Sequence, residues 1–274
     1  MKLACSMGGF RNFAFEDALA VVDELGFEHF EGTTDGRAHL YPYAVLAEDS
    51  TTLEKTLAAY RPRLISIAGG WSDFAVADEH LEKQYASVRN QLALCRRLGV
   101  RVLRLFASHL PSKYVDDVFR ARVIRNVKRL APDAREAGVT IAIENHYGIT
   151  ATSDDVLRLL EGVGDAAIRA NFDGANFVPM GDDPLRACTR LLPYIAHVHC
   201  KDARYTGRGR HEGWEYCEIG AGVMNYGEIL AMLNGAGYEG AVCVEYENPV
   251  DVVGGTVVSH RALRTLMNTL GRAR

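Results

Sequence analysis

The sequence predicts an α/β fold, a single (β/α)8 TIM barrel occupying residues 1–274 as one domain. Three observations predict it. Short apolar runs alternate with amphipathic segments from one end of the chain to the other. No linker, low-complexity run or shift of composition divides the sequence. Four apolar runs in the second half end in a carboxylate or a histidine, which is where a barrel of this kind carries its active site. At 274 residues the length is one at which barrels commonly form a single domain, and a composition 48% hydrophobic and 24% charged supplies a large core.

In chain order the strands are predicted at Lys2–Ser6, Phe27–Glu31, Arg63–Ala68, Arg101–Ala107, Val139–Glu144, Ile168–Asp173, Tyr194–Lys201 and Ala241–Tyr246. Between them the helical pattern covers Phe15–Leu25, Thr51–Tyr60, Asp78–Leu98, Val115–Ala137, Ser153–Glu161, Asp183–Leu192, Tyr226–Ala236 and Ser259–Leu270. Gly26, Gly99, Gly138 and Gly237 follow helices where a left-handed end is useful, and Ser153 and Asp183 stand where N-caps belong. The competing architecture is a doubly wound open sheet, which would show a glycine-rich phosphate turn after the first strand. Gly8-Gly9 is a lone pair without the rest of that fingerprint, so the barrel is the better reading.

The four marked endings are Thr140–Glu144, Ile168–Asp173, Ile195–His199 and Ala241–Glu245. A carboxylate at the end of an apolar run is costly to bury unless it is paired or bound to metal. In a barrel these endings fall on four adjacent strands about 4.8 Å apart, so they can converge on one ion. Two Glu, one Asp and one His make an oxygen-rich set with one imidazole, suited to a single divalent metal ion. Mn²⁺ is placed first, with Mg²⁺, Co²⁺ and Zn²⁺ as alternatives. Alternation puts His197, His199 and Lys201 on one face of the seventh strand.

Charge and composition exclude other classes. A net charge of −4 and a sequence pI near 6.1 argue against a nucleic-acid surface. No stretch approaches the roughly 20 apolar residues of a membrane span, and the start of the chain lacks the long apolar region of a signal peptide. Six scattered cysteines without a Cys-x-x-Cys pair read as small apolar filler in a reducing compartment, so a cytoplasmic address is expected.

With Ile143-Glu144-Asn145, Asn171-Phe172-Asp173, His197-Val198-His199-Cys200-Lys201-Asp202 and the closing Glu218–Val223, Tyr238–Gly240 and Val244-Glu245 in place, the chain resembles the xylose-isomerase-like TIM-barrel superfamily. The likeness is to its sugar phosphate isomerase/epimerase group, which includes tagatose 3-epimerase and the inosose dehydratases. It is strongest from Val139 to Glu247. It implies that Glu144, Asp173, His199 and Glu245 are metal ligands, that Glu144 and Glu245 are the acid/base pair, and that Arg204 contacts substrate. The sequence departs from the family at one point. Where relatives often carry Asp-x-x-His, with the histidine on substrate, this chain has Asp173-Gly-Ala-Asn176. Asn176 is accordingly a substrate candidate that cannot be a charged donor.

Further substrate candidates follow from position on the expected rim. Glu31 ends the second strand, where relatives carry a pocket carboxylate. Trp71, in the turn Gly69-Gly70-Trp71-Ser72, can form an apolar wall for a sugar face. His109 and His146 follow the fourth and fifth strands, and Lys201 shares the His199 face. The connection Asp202–Gly222 is long for a βα loop, which usually takes 2–6 residues. Its Arg204, Arg208, Arg210 and His211 can grip an anion and its Trp214 can cover the site, so it reads as a lid.

The chemistry these residues suit is removal of a proton from carbon next to a carbonyl, through an enediolate. The leading expectation is a metal-dependent isomerase or epimerase acting on a small-molecule sugar or keto-sugar. The alternative is a lyase using the same site, by dehydration of a keto-inositol or β-elimination on a 3-keto-glycoside. Apurinic endonucleases share the barrel but need more histidine ligands and a basic DNA face. A non-catalytic scaffold would be indifferent to metal. No apolar stripe identifies an interface, so a homo-oligomer or a partner subunit is left open, with no nucleic acid or membrane partner expected.

Overall fold

The computed structural model, described for residues 1–34, 39–70, 72–208 and 213–272, closes eight parallel strands into a barrel. β1 (Lys2–Ser6), β2 (His29–Thr33), β3 (Arg63–Ala68), β4 (Val102–Leu105), β5 (Thr140–Glu144), β6 (Ile168–Asp173) and β7 (Ile195–Cys200) follow one another round it. β8 (Asp202–Tyr205) and β9 (Trp214–Cys217) stand apart as an antiparallel hairpin, and β10 (Ala241–Val244) closes the barrel between β7 and β1. The segment expected as a lid, Asp202–Gly222, contains this hairpin. Its Gly209, Arg210 and His211 lie outside the described residues, as does Trp71.

Two irregularities aim side chains inward. Along β2 and β3 the register jumps from Phe30 opposite Leu64 to Glu31 opposite Ser66, which leaves Ile65 as an extra residue and turns the Ser66 hydroxyl into the barrel. The second strand starts two residues later than expected and runs on to Thr33, so Glu31 falls inside it rather than at its end. A matching jump from Ala170 opposite Ile195 to Asn171 opposite His197 sets the register of β6 on β7.

Three helical details differ from the sequence reading. The pattern over Val115–Ala137 is two helices, Asp117–Lys128 and Ala131–Ala137. Pro132 has no N–H to continue the first ladder and sits in the first turn of the second helix, where none is needed. The cap before Ser153–Val163 is Thr152, not Ser153, because Thr152 and Asp155 close a reciprocal capping box. The last helix begins at Val252 rather than Ser259. Gly254-Gly255 masks this start by low helix propensity, yet a Cβ on Gly255 would lie 2.1 Å from the Tyr246 ring. Glycine is what lets that helix pack against the loop after β10.

One large apolar cluster joins strand residues such as Phe30, Leu103, Ile141 and Val198 to helix residues such as Leu19, Leu92 and Leu159. Each such side chain contributes about 1.5–3 kcal/mol on burial. A second, small cluster of Ala4, Ala241 and Cys243 with Ile65 fills the bottom of the barrel. All six cysteines are buried and free. No described helix is long and apolar enough to cross a membrane.

Candidate metal centre and active site

Above the apolar floor the barrel interior turns polar in two tiers. Glu31 forms the lower one. Its Oε1 accepts from Ser6 Oγ at 3.1 Å and lies 2.8 Å from His199 Nε2. Its Oε2 accepts from Ser66 Oγ at 3.0 Å and lies 2.8 Å from His197 Nε2. Strand register dictates this grouping, since Ser6 and Ser66 are the partners of Glu31 on β1 and β3. With Nε2 of His199 engaged by Glu31, Nδ1 is the nitrogen turned upward, toward Glu144 and Glu245.

The upper tier gathers Glu144, Asp173, His199 and Glu245, each able to offer one donor atom within 4.8 Å of the others. His199 Nδ1 lies 3.1 Å from Glu245 Oε2 and 3.7 Å from Glu144 Oε1. Asp173 is placed from both sides. Its Oδ1 caps the short helix Gly174–Phe177 by accepting from Ala175 and Asn176 N–H. Asn145 clamps its backbone, donating to the Asp173 carbonyl at 2.7 Å and accepting from its N–H at 2.8 Å. That leaves Oδ2 facing inward. Asp173 Oδ2, His199 Nδ1, Glu245 Oε2 and Glu144 Oε2 are buried and meet only charged partners: one another, Arg104 and Lys201. A buried cluster with more carboxylates than cations is costly, and a further cation relieves it. Three carboxylate oxygens and an imidazole nitrogen are a fitting donor set for one divalent cation. Glu31, His197 and His199 also cluster closely, but their polar atoms satisfy one another and need no ion.

Two permanent cations border the quartet. Arg104 Nε stands 2.9 Å from Glu144 Oε2, its Nη1 donates to the Gly69 carbonyl at 3.1 Å, and its guanidinium covers the Phe106 ring. Lys201 Nζ touches Asp173 Oδ2 at 3.0 Å, Glu245 Oε2 at 2.9 Å and Glu247 Oε2 at 2.7 Å. Five carboxylates, counting Glu31 and Glu247, thus face two fixed positive charges, and a dication would redress much of that imbalance.

The titration behaviour reflects the same crowding. Burial pushes Asp173 up to about 7 against the pull of Lys201, with Glu245 and Glu144 adding to the rise. Burial alone would lower His199, but the carboxylates of Glu245, Glu31 and Glu144 hold it well above its usual range. For Glu245, His199 and then Lys201 overcome burial and hold it well below the ordinary carboxylate range. Arg104 and His199 likewise overcome burial to lower Glu144. Without a cation the centre meets its excess negative charge with protons, and a metal would displace them.

The cavity above these groups is lined by Arg104, Glu144, His146, Lys201, Glu245 and Glu247, with Gly69 and Gly70 in its wall. Of the substrate candidates, Lys201 and His146 therefore face it, His146 resting edge-on against Phe106. Asn176 reaches Glu144 rather than the opening. Glu31 is fully buried beneath His199 and does not line the cavity. His109 packs on Phe106 behind the lining. Arg204 is exposed on the hairpin opposite Glu215, away from the cavity lining, and Trp214 packs on Tyr205 at the hairpin's outer end. Arg104 and Glu247 are the residues the sequence reading missed. Arg104 interrupts the apolar run Val102–Leu105, the same cost-of-burial signal as the four endings, and Glu247 follows Glu245 at strand spacing.

Comparison with known proteins gives the family and the fold. Among curated proteins the chain is similar to the rhizopine catabolism protein MocC of Rhizobium meliloti, 27% identical over 72% of this chain and 67% of the relative. It is also similar to an inosose dehydratase of Geobacillus thermodenitrificans, 22% identical over 91% of this chain and 89% of the relative. Among solved structures, a D-tagatose 3-epimerase-like protein superposes with TM-score 0.80 at 18% identity, covering 100% of this chain and 99% of that one. The IOLI protein with a zinc atom superposes with TM-score 0.81 at 14% identity, covering 98% and 99%. The model of the xylose isomerase-like TIM barrel family matches residues 19–266, and the chain belongs to that family.

Proposed function

We propose that this chain is a divalent-metal-dependent isomerase or epimerase that removes a proton next to the carbonyl of a small sugar or keto-sugar. The observation carrying the reading is the set of four buried donor atoms, from Glu144, Asp173, His199 and Glu245, that lie within 4.8 Å of one another. Those residues would hold the ion, Mn²⁺ in the first instance, with Mg²⁺, Co²⁺ and Zn²⁺ as alternatives. Once bound, the ion would supply Lewis acidity that makes the carbon acid next to a carbonyl easier to ionise. The protein's own part is proton handling. Glu144 and Glu245 are each held ionised beside a permanent cation, Arg104 and Lys201, so each can accept a proton. One would remove it and the other return it on the opposite face, the enediolate lying between the two steps. Lys201 and His146 would meet substrate hydroxyls from the cavity wall.

A lyase reading of the same site, dehydration of a keto-inositol or β-elimination from a 3-keto-glycoside, is favoured by one specific finding. An inosose dehydratase matches over 91% of the chain. Proton removal is common to both readings, and only the fate of the neighbouring hydroxyl or glycosidic oxygen differs.

The test is proton NMR of keto-sugar and keto-inositol substrates turned over in D₂O. Epimerisation conserves mass and places deuterium next to the carbonyl, whereas elimination gives an enone or a released aglycone. Glu144→Gln and Glu245→Gln keep size and an oxygen donor but cannot accept a proton, so each should nearly abolish turnover. Near-normal rates in both would refute the acid/base assignment. Product without deuterium would require substrate deuterated at that carbon, and full retention of its label would point to hydride transfer instead.

A further inference from the structure

Asn176 occupies the position at which the family resemblance leads one to expect a histidine on substrate, yet its amide is engaged inside the protein at both ends. Nδ2 donates to Glu144 Oε1 at 3.2 Å and to the Asn145 carbonyl at 3.0 Å. Oδ1 accepts from the Tyr216 hydroxyl at 2.9 Å. The side chain is only 3% exposed. Two acceptors on one side require the NH₂ there, and the phenol supplies a donor for the oxygen on the other. The three contacts agree on one orientation of the amide, and that orientation presents an N–H to Glu144.

Tyr216 comes from β9, so the hairpin reaches the metal centre through it. The hairpin root is tied down by a single carboxylate. Asp202 Oδ1 accepts from Ala203 and Met224 N–H at 2.8 and 3.0 Å, and its Oδ2 from Gly220 and Gly222 N–H at 2.9 and 3.1 Å. Gly222 permits the closure, since a Cβ there would lie 2.2 Å from Asp202 Oδ1. The Tyr216 ring also lies 4.8 Å from Lys201 Nζ. Glu144 is thus gripped twice, by Arg104 at Oε2 and by Asn176 at Oε1.

We propose that Tyr216 and Asn176 are a positioning pair for Glu144: the rooted hairpin sets the angle of that carboxylate through the amide, and position 176 is withdrawn from substrate recognition. The inference rests on reading Glu144, Asp173, His199 and Glu245 as a metal site. Groups that orient a ligand in this way typically carry 10–100-fold of metal affinity. The experiment titrates metal-stripped wild type, Tyr216→Phe, Asn176→Ala and the double variant with Mn²⁺ by calorimetry, and records the visible spectrum of each with Co²⁺. Tyr216→Phe keeps the ring against Lys201 and removes only the hydroxyl. It is expected to weaken Mn²⁺ about tenfold and to shift the Co²⁺ bands, while the thermal midpoint of the metal-free protein stays where it is in wild type. The double variant is expected to bind no more weakly than Asn176→Ala alone, because the hydroxyl acts through the amide. If Asn176→Ala does not fold, Asn176→Ser takes its place in the cycle. Wild-type affinity and spectrum in Tyr216→Phe would overturn the positioning role, as would losses that simply add in the double variant. Wild-type protein that takes up neither ion would overturn the metal-site reading with it, an outcome distinct from normal wild-type binding with an unaffected Tyr216→Phe.

Discussion

Replacing Glu31 by Gln tests how far the lower tier governs the upper one. The carboxylate has two histidines and two serine hydroxyls around it, at 2.8, 2.8, 3.1 and 3.0 Å. A Gln amide offers one oxygen and one NH₂, so whichever way it turns, one histidine nitrogen and one hydroxyl lose their acceptor. A hydrogen bond to a charged group contributes about 1.5–3 kcal/mol. If most of that loss falls on the orientation of His199, metal affinity should drop by roughly 10-fold to 100-fold, since each 1.4 kcal/mol is a factor of ten. Ser66→Ala is the control, because it removes one 3.0 Å donor but leaves the charge and both histidine contacts. It should cost less metal affinity than Glu31→Gln, because the hydroxyl it removes touches the carboxylate and not His199. Mn²⁺ titration of metal-stripped protein reads both variants. Wild-type affinity in Glu31→Gln would refute the claim that Glu31 fixes His199 Nδ1 toward the ion.

Three further outcomes are expected. Purified protein should carry about one divalent ion per chain, and elemental analysis of Asp173→Ala and His199→Ala should find it lost, full occupancy in both refuting the ligand assignment. Arg104→Met should destabilise by about 3 kcal/mol or more in denaturant unfolding, because it strands the buried Glu144 charge. Arg204→Ala, exposed on the hairpin, should stay within about 0.5 kcal/mol, and the reverse ranking would mean that the two arginines have been misassigned. His260 stacks on Phe27 at 4.1 Å, and burial, with Arg264 and Arg261, pulls it down to about 4. Its unfolded value is near 6.5, so as pH falls the unfolded chain takes the proton first. The stability His260 contributes is therefore complete above about pH 6.5 and is lost between there and about pH 4. His260→Phe should flatten that part of the stability curve relative to wild type, and parallel curves would exclude the effect.

The barrel and the quartet were legible in the sequence because both rest on local signals. Strand-length apolar runs ending in Glu144, Asp173, His199 and Glu245 carry their periodicity and their anomaly in the same few residues. What was not legible depends on register between distant strands. Glu31 reads as a rim carboxylate if β2 ends there. Only the bulge at Ile65, which brings Ser66 opposite it, shows that Glu31 lies below the centre. Arg204 has the chemistry of a substrate contact, but the hairpin that Asp202 roots turns it outward. Asn176 looked like a lost histidine, whereas its role is set by Tyr216, 40 residues further along the chain.

The same register explains why the polar tiers stack as they do. Glu31 draws the Nε2 proton of His199 downward, Asn145 and the helix start at Gly174 hold Asp173 from behind, and Asn176 and Arg104 grip Glu144 from the side. Asp173, His199 and Glu144 are therefore each held by a neighbour outside the quartet while turning a donor atom into the space shared with Glu245. Such an arrangement is costly without a cation, since burial leaves Asp173 titrating at about 7 among its neighbours. It is economical with one, because the directions of all four donors are already fixed before the ion arrives. A barrel merely capped by paired side chains would balance its charges, whereas here Glu144, Asp173, Glu245 and Glu247 share only Arg104 and Lys201 as fixed cations.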